Sequence, residues 1–294
     1  MIFTFVVLHY MVSDETIECV NSILNNVDAG NAKLNIVVVD NGSTNDSFST
    51  LSKELTDEKV VLLRSQKNLG FARGNNIGYK YAKEILKSDY ITLINNDTVI
   101  YQNDWIIKAN ELYKKYDYAV LGPDIITLDN YHQNPFYPTK WNLKSLRRAR
   151  IKQRIKLILT YIGLDELFLT QEKSELESAY VNYEILDADL HGACFVFSRN
   201  FIDIFDGLCE DTFLYMEEEI LKLYIDMYHL HTLYSPQLTI YHKEDASTNA
   251  VSKTPRKKKI AKYKYWLESS KVLEKLLISL KRIKATLFIQ VTLL

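Results

Sequence analysis

Short polar side chains that could bind a ligand follow directly after an apolar run near the middle of the first half of the chain. The run Tyr90–Ile94 stops at Asn95, Asn96 and Asp97. In open α/β sheets, ligands collect at the carboxyl ends of strands. A carboxylate at such a place can hold a hard cation, Mg²⁺ or Mn²⁺. Taken alone, Asn-Asn-Asp is equally typical of a turn.

Three consecutive acids form a second candidate for chemistry. Glu217, Glu218 and Glu219 lie near the start of a helix that we predict over about Met216–Tyr228. Acids at this position complement the helix dipole, which would account for them without any chemistry. Because successive helical side chains point about 100° apart, one or two of the three can face a cleft. A carboxylate beside an acceptor hydroxyl is a candidate general base.

Two further polar segments follow predicted strands. Asp40 follows Ile36–Val39 and can accept hydrogen bonds from a base or a ribose, although an Asx turn would explain it as well. The glycine-rich segment 68–78 opens a helix, and helix N-termini attract phosphate. Arg73 could add charge-assisted hydrogen bonds, whereas the bland interpretation is a loop with helix-entry glycines. The segment is not Gly-x-Gly-x-x-Gly and does not follow the first strand, which disfavours a dinucleotide site.

These segments are joined by alternating strand and helix patterns, which predict an α/β fold. Near-continuous apolar strands separated by helices are typical of a mainly parallel sheet that is covered on both faces. The predicted strands are Phe3–Leu8, Leu34–Val39, Val60–Leu63, Tyr90–Ile94, Ala119–Leu121, Ile185–Asp189, Ala193–Ser198, Thr232–Tyr234 and Leu238–Tyr241. The predicted helices before residue 129 are Asp14–Asn26, Phe71–Leu86 and Trp105–Tyr116.

The pattern predicts a main domain over residues 1–250 and a helical region over 251–294. Residues 129–180 contain two of the five prolines and a basic cluster, and we expect them to form an insertion or a lid. The region after residue 251 is strongly basic, with apolar residues between the lysines. It could be a solvated helical face, a contact with an anionic membrane surface, or part of a homodimer interface.

Composition restricts the class of protein. The 294 residues are 47% hydrophobic and 25% charged, as expected of a globular chain. A net charge of −1 gives no overall field for nucleic acid. The three cysteines are scattered, which favours reduced thiols and a cytoplasmic location. The apolar start is too short for a signal peptide, and no apolar run reaches the length of a spanning helix.

Six segments in order resemble family 2 glycosyltransferases of the GT-A fold. The resemblance covers roughly Phe3–Ser247 and is closest to the bacterial branch that builds capsule, O-antigen and related surface polysaccharides, including rhamnosyltransferase-like members. The matching segments are 38–44, 68–78, 93–97, 191–194, 213–219 and 241–243.

The resemblance implies a role for each candidate residue. Asp97 would be a metal ligand within an Asp-x-Asp-like motif, His242 a further ligand, and Glu218 the catalytic base. The nucleotide-sugar would contact His9, Asp40, Asn68, Gly70, Arg73, Asn95 and Asn96. His191 and Glu217 would lie on the acceptor side. The chain departs from the family pattern at Asn95, where an acid is usual, and at Ile220, where the family often has an acid.

The predicted activity is an inverting, metal-dependent transfer of a sugar from a UDP- or dTDP-linked donor to a glycan or lipid-linked glycan. The enzyme would be cytoplasmic, or at the inner face of the cell membrane. An alternative is a GT-A module that binds a nucleotide-sugar without turning it over, which the departures at Asn95 and Ile220 favour. A nucleotidyltransferase would need a glycine-rich basic loop after the first strand, and residues 9–12 are not such a loop.

Overall fold

The structure is a computed structural model that describes residues 1–138, 140–165, 180–243 and 254–292, with side chains up to residue 281. Part of the predicted insertion, residues 166–179, and the start of the predicted C-terminal region lie outside the described residues. Within the described ranges, no helix combines the length and the apolar character that crossing a bilayer requires.

Strands and helices alternate along most of the chain. The strands are β1 Ile2–His9, β2 Lys33–Asp40, β3 Val60–Arg64, β4 Tyr90–Asn95, β5 Thr98–Val99, β6 Val120–Thr127, β7 Ile185–Leu186, β8 Cys194–Phe197 and β9 Thr232–His242. The helices are α1 Ser13–Asn26, α2 Ser47–Glu54, α3 Phe71–Glu84, α4 Trp105–Tyr116, α5 Leu143–Ile162, α6 Arg199–Ile202, α7 Glu217–Met227 and α8 Pro255–Thr292.

All nine strands belong to one sheet. The order is β3-β2-β1-β4-β8-β6-β9-β5, and β7 pairs with β9. The pairs among β1 to β4 are parallel, as is β6 with β9, whereas β8 runs antiparallel to both β4 and β6. The predicted α/β class, with a mainly parallel sheet and a C-terminal helix, is therefore confirmed.

Alternation along the strands explains why helices cover both faces of the sheet. Successive side chains of a strand point to opposite faces. In β1, Phe3, Phe5 and Val7 belong to one buried cluster, which α1, α2 and α4 complete. Val6 belongs to the other, which α3, α6 and α7 complete. Because the sheet is buried on both sides, its ligands can collect at the strand ends.

Strand β9 is longer than the sequence suggested. We predicted two strands, Thr232–Tyr234 and Leu238–Tyr241, because a proline separates them. The structure has one strand with a bulge, at which Ser235 pairs with Pro123 and Thr239 pairs with Asp124. Strand β6 also continues past Gly122 and Pro123, where we had ended it. The long ladder carries His242 to the edge at which β4 ends.

The C-terminal helix packs against the helix of the predicted insertion. Helices α5, α7 and α8 share a small buried cluster of apolar residues, Leu146, Met216, Ile220 and Leu273. Glu274 of α8 accepts hydrogen bonds from two arginines of α5, Arg147 (at 2.5 Å) and Arg150. The described part of α8 is thus attached to the helix that carries the acidic triplet.

Candidate active site

A cleft of about 450 Å³ opens at the edge of the sheet where β1 and β4 end. Four distant parts of the chain meet there: the segment after β4, the segment before β8, the acidic triplet of α7 and the end of β9. The predicted residues that line the cleft are Asn95, Asn96, Asp97, His191, Glu217, Glu218 and His242. The carboxylate-imidazole pair and the acids therefore face one space.

Asp97 and His242 are held together by backbone pairing. Thr98 pairs with His242 in the short β5–β9 ladder, and the amide of Lys243 donates to the carbonyl of Asp97 at 2.9 Å. As a result, Asp97 Oδ1 lies 3.2 Å from His242 Nε2. Both residues are buried, at 7% exposure each. The distance between the two side chains thus follows from strand register.

The chemistry of this pair fits a divalent cation. His242 Nδ1 lies 2.7 Å from Gln133 Oε1, so we assign the ring proton to Nδ1 because an amide oxygen can only accept. Nε2 of the neutral ring then points a lone pair towards Asp97. The buried Oδ1 of Asp97 accepts no hydrogen bond within the described structure. The lone pairs of Asp97 Oδ1 and His242 Nε2 repel each other unless a positive charge lies between them, and a proton or a metal ion would supply that charge.

A closed protein cage for a metal does not form among the described residues, because no group of three His, Cys, Asp or Glu side chains assembles there. This is compatible with Mg²⁺, which is commonly bound through one or two carboxylates together with substrate phosphates and water. Asp97 and His242 would supply the protein ligands, and donor oxygens the remainder.

Glu218 reaches the cleft from the first turn of α7. Its Oε1 accepts a hydrogen bond from the amide of Gly192 at 3.2 Å. A Cβ atom at Gly192 would stand 2.6 Å from the same oxygen, so a glycine is required for this approach. Burial raises the pKa of Glu218 to about 8, with Glu217 and Glu219 adding repulsion. Its proton affinity is therefore close to that of a general base acting near neutral pH.

Glu217 is the more deeply buried acid of the cleft. It is 6% exposed, and burial raises its pKa to about 7. Its Oε1 has no hydrogen-bond partner within the described structure. The third acid, Glu219, accepts from Trp141 Nε1 at 3.4 Å and does not line the cleft. The expectation that one or two of the three acids face a cleft agrees with this arrangement.

The turn before α7 aims these acids inward. Tyr215 and Met216 both have positive φ, at 74° and 72°, which is rare for residues with a side chain. Such strain persists only where the surroundings over-determine the backbone. Here Ser269 of α8 donates to the carbonyl of Leu214 at 2.8 Å, and Tyr265 stacks on Phe213. Helix α8 thus holds the turn that directs the acids.

His191 lies beside the pair formed by Asp97 and His242. Its ring centroid is 6.1 Å from that of His242, and its Nδ1 accepts from the amide of Ala193 at 3.2 Å. Burial lowers the pKa of His191 to about 4, with His242 acting in the same direction and Asp97 opposing. A neutral ring with its proton on Nε2 can donate a hydrogen bond to a ligand in the cleft.

His9 does not line the cleft, and its contact with a nucleotide stays a prediction. The side chain is fully buried, and its ring nitrogens lie 2.7 Å from Thr16 Oγ1 and 2.9 Å from Ser47 Oγ. Burial lowers its pKa to about 4 against the attraction of Asp40. The ring ties β1 to α1 and α2.

Asp40 lies at the same edge of the sheet, paired in register with His9. Its carboxylate accepts from the amide of Ser43 at 3.0 Å and lies 3.0 Å from Nε of Arg64. With 1% exposure, Asp40 does not line the cleft. Its geometry matches the Asx turn that we kept as an alternative. A nucleotide would have to approach it from the partly exposed side of Arg64.

The glycine-rich start of α3 attaches to the segment that precedes α7. The carbonyl of Phe213 accepts from the amide of Phe71 at 2.8 Å, and Arg73 Nε donates to the carbonyl of Glu210 at 2.6 Å. Asn68 Oδ1 accepts from the amide of Gly70 at 2.9 Å. Asn68, Gly70 and Arg73 do not line the cleft, which Phe71 does. In this structure the motif positions the segment that leads to Glu217 and Glu218.

Lys262 of α8 lines the cleft, and sequence reasoning missed it. Among the described residues around the cleft, it is the one with a positively charged side chain. It sits on the basic helix that we had assigned to solvent, a membrane or a dimer. The other charged residues that line the cleft are Asp97, Glu217 and Glu218, so Lys262 is the side chain there that would attract an anionic ligand.

Comparison with known proteins identifies a family match. The family model described as Glycosyl transferase family 2 matches residues 4–173, which is more than half of the chain. No curated protein matches.

Two solved structures of S. aureus TarS are similar. TarS aligns with 83% of this chain at 13% identity and a TM-score of 0.52, which shows a shared fold. TarS 1-349 in complex with UDP-GlcNAc aligns with 49% of this chain at 17% identity and a TM-score of 0.38. The chain spans 37% and 38% of the lengths of these two proteins.

Proposed function

The chain belongs to glycosyl transferase family 2, and from this premise we propose that it transfers a sugar from a nucleoside-diphosphate donor to a hydroxyl group. The acceptor is a glycan or a lipid-linked glycan, in the synthesis of a bacterial surface polysaccharide. The observation that carries the proposal is the meeting of Asp97 and His242 with Glu217 and Glu218 in one cleft.

Glu218 is the proposed general base. When ionised, its carboxylate accepts the proton of the acceptor hydroxyl as that oxygen attacks the anomeric carbon. A new carbon–oxygen bond forms on one face of the sugar, while the bond to the diphosphate breaks on the other and its electrons leave with the diphosphate. One such displacement inverts the anomeric configuration. The amide of Gly192 keeps the carboxylate in place.

Asp97 and His242 are the proposed holders of Mg²⁺ or Mn²⁺. When bound, such a cation neutralises the negative charge that develops on the leaving diphosphate, an effect worth several kcal/mol in metal enzymes. Gln133 orients His242 for this role through Nδ1. Lys262 stands at the mouth of the same cleft and would attract the diphosphate from the other side.

The donor nucleotide is proposed to be UDP or dTDP, and the sugar a hexose, an N-acetylhexosamine or rhamnose. Asn95 and Asn96 line the cleft; Asn95 would offer its amide to the donor, whereas Asn96 Nδ2 donates to Thr16 Oγ1 at 3.0 Å. The other predicted donor-binding residues border the same end of the sheet and would affect donor binding by fixing the loops in which they lie. They are Asp40, Asn68, Gly70 and Arg73. His191 and Glu217 are proposed to face the acceptor.

Hydrolysis of the donor in the absence of an acceptor tests the proposal. With Mn²⁺ and a panel of UDP- and dTDP-sugars, the protein should slowly release the nucleoside diphosphate from at least one donor. Asp97→Ala should abolish the dependence on Mn²⁺ and weaken donor binding, because half of the protein ligand pair is lost.

Matched measurements separate the enzyme from the binding module that Asn95 and Ile220 suggest. A module of that kind would raise its melting temperature with a donor and Mn²⁺ yet release no diphosphate. Asp28→Ala, at an exposed loop position away from the cleft, serves as the control for Asp97→Ala. Equal metal dependence of the two variants would refute the assigned metal pair.

A further inference from the structure

An exposed row of isoleucines runs along α5. Ile151, Ile155, Ile158 and Ile162 are each between 52% and 60% exposed. At 3.6 residues per turn, these four positions fall within a sector of about 60° on the helix surface. We call this row the isoleucine stripe. A contiguous apolar surface of this kind usually marks an interaction site.

The opposite side of α5 already has its partner within the protein. Leu146 and Thr160 are fully buried, and Arg150 faces Glu274 of α8. These positions lie on the far side of the helix from the isoleucine stripe. Contacts with α8 and the buried cluster therefore account for this side of α5, whereas the folding of the described residues does not account for the exposed isoleucines on the other side.

Basic side chains flank the isoleucine stripe. Helix α5 contains no Asp or Glu and carries seven basic residues, Lys144, Arg147, Arg148, Arg150, Lys152, Arg154 and Lys156. Arg147 and Arg150 pair with Glu274, whereas helical spacing puts Arg148, Lys152 and Arg154 on the two sides of the stripe. The whole chain has a net charge of −1, so the seven positive charges of α5 are a local excess. An exposed apolar row with basic side chains on both sides of it is suited to the interface of a bilayer with anionic lipids.

The isoleucine stripe ends near the cleft. Arg256 of α8 donates through Nε to the carbonyl of Thr160 at 2.8 Å, and Lys259 pairs with Asp165 at 2.9 Å. Lys262, which lines the cleft, follows Lys259 by three residues, or roughly 4.5 Å of helix rise. A surface bound at the end of α5 would thus lie beside the entrance to the cleft.

We propose that the isoleucine stripe of α5 docks the protein on the surface of an anionic lipid bilayer. The isoleucines enter the interface between headgroups and acyl chains, and the flanking lysines and arginines contact the anionic headgroups. The sequence allowed a membrane contact, a solvated face or a dimer contact for the residues after 251, and the described part of α8 packs on α5 and reaches the cleft. A symmetric dimer through the stripe would bring two strongly basic faces together, which charge repulsion opposes.

Co-sedimentation of the full-length chain with vesicles tests the proposal. The protein should bind vesicles of phosphatidylcholine mixed with phosphatidylglycerol, bind pure phosphatidylcholine vesicles at least about tenfold less, and be released by salt. The double variant Ile155→Glu/Ile158→Glu should bind the anionic vesicles at least about tenfold more weakly, because it places charges in the apolar row. Arg148→Gln/Lys152→Gln should reduce binding to the anionic vesicles alone.

Ile85→Glu is the matched control, since Ile85 is 63% exposed at the end of α3. It should bind vesicles as the unchanged protein does. Equal binding of Ile155→Glu/Ile158→Glu and Ile85→Glu, or no binding of the unchanged protein, would overturn the proposal. So would light scattering that shows a dimer which only the stripe variant dissociates. Donor hydrolysis without lipid should be the same in all these variants, so failure here is distinguishable from failure of the proposed reaction.

Discussion

At the scale of single residues, the protonation of Glu218 governs the proposed reaction. Burial holds its pKa at about 8, so at pH 7 the acid form predominates, and only the ionised form accepts a proton. The kcat/KM of the unchanged protein should therefore rise with pH up to about 8 and then level off. Glu218→Gln should lower kcat by about 10²–10⁴ and remove this pH dependence.

The measurement is a pH–rate profile of sugar transfer together with nucleotide binding by calorimetry. The variant should keep nearly the nucleotide affinity of the unchanged protein, because the carboxylate faces the acceptor. Glu219→Gln, in the same triplet but outside the cleft, is the control. Lost nucleotide affinity with an unchanged turnover would exclude Glu218 as the base.

A second prediction at this scale concerns Lys262. If its ammonium attracts the diphosphate, Lys262→Met should raise the dissociation constant of the free nucleoside diphosphate by about tenfold, the value of one charge-assisted contact. Lys257→Met, five residues earlier on another side of α8, should leave it unchanged. Titration with nucleotide at two salt concentrations would measure both. Equal affinities of the two variants would remove Lys262 from the donor site.

The residues that sequence could and could not place differ in a physical way. Asp97 and Glu218 can be picked out from the local sequence, because Asp97 follows the end of β4 and Glu218 lies at the start of α7. Lys262 is one lysine among many on a basic helix, and only the packing of α8 brings it to the cleft. The burial of His9 is predictable, because alternation along β1 puts it on the same face as Phe5 and Val7, which helices cover.

At the scale of elements, the contact between the start of α3 and the segment before α7 leaves no room for a larger residue at Gly70. Gly70 has φ of 85°, and a Cβ there would stand 2.3 Å from the carbonyl oxygen of Phe213. Gly70→Ala should lower the free energy of unfolding by about 1–3 kcal/mol more than Gly30→Ala. Gly30 has φ of 51° with open space around it, so it isolates the backbone cost.

Chemical denaturation of both glycine variants would measure this difference. Turnover should fall in Gly70→Ala as well, since Phe213 leads to the acids of the cleft. Equal stability losses in the two variants would show that the contact with Phe213 contributes nothing.

Element boundaries were predictable where a run is apolar throughout and less so where glycine or proline interrupts it. The strands near residues 3, 34, 60 and 90 were placed to within about two residues. We predicted that β6 ends at Leu121, before Gly122, and that two separate strands flank Pro236 in place of β9. Both predictions missed the long ladder, because a bulge within it leaves no local sequence pattern. Helix α2 was not predicted, and nothing in the sequence of β8 indicated that it runs antiparallel to its neighbours.

At the scale of the whole molecule, the apolar cluster shared by α5, α7 and α8 packs the C-terminal helix against the helix that carries the acids of the cleft. Leu273→Ala should lower the free energy of unfolding by about 2–5 kcal/mol, because Leu273 is 2% exposed and would leave a cavity. Leu128→Ala, at a site 76% exposed, should change it little.

Thermal unfolding and sugar transfer should be measured together for these leucine variants. Since Met216 shares the cluster, Leu273→Ala should also reduce turnover below the unfolding temperature. A stability loss with normal turnover would mean that α8 supports the fold without supporting the cleft. The sequence predicted a separate C-terminal region because composition changes there, but composition carries no information about docking between regions.

The bulge in β9 has a consequence for how such proteins can diverge. Three residues lie between Ser235 and Thr239, and they decide which side chain of β9 stands opposite Thr98. With one residue fewer and the ladder otherwise kept, Lys243 would take the place of His242. Its ammonium would then neutralise Asp97 directly. A single codon deletion could thus convert a carboxylate that faces an imidazole into one that a fixed amine neutralises.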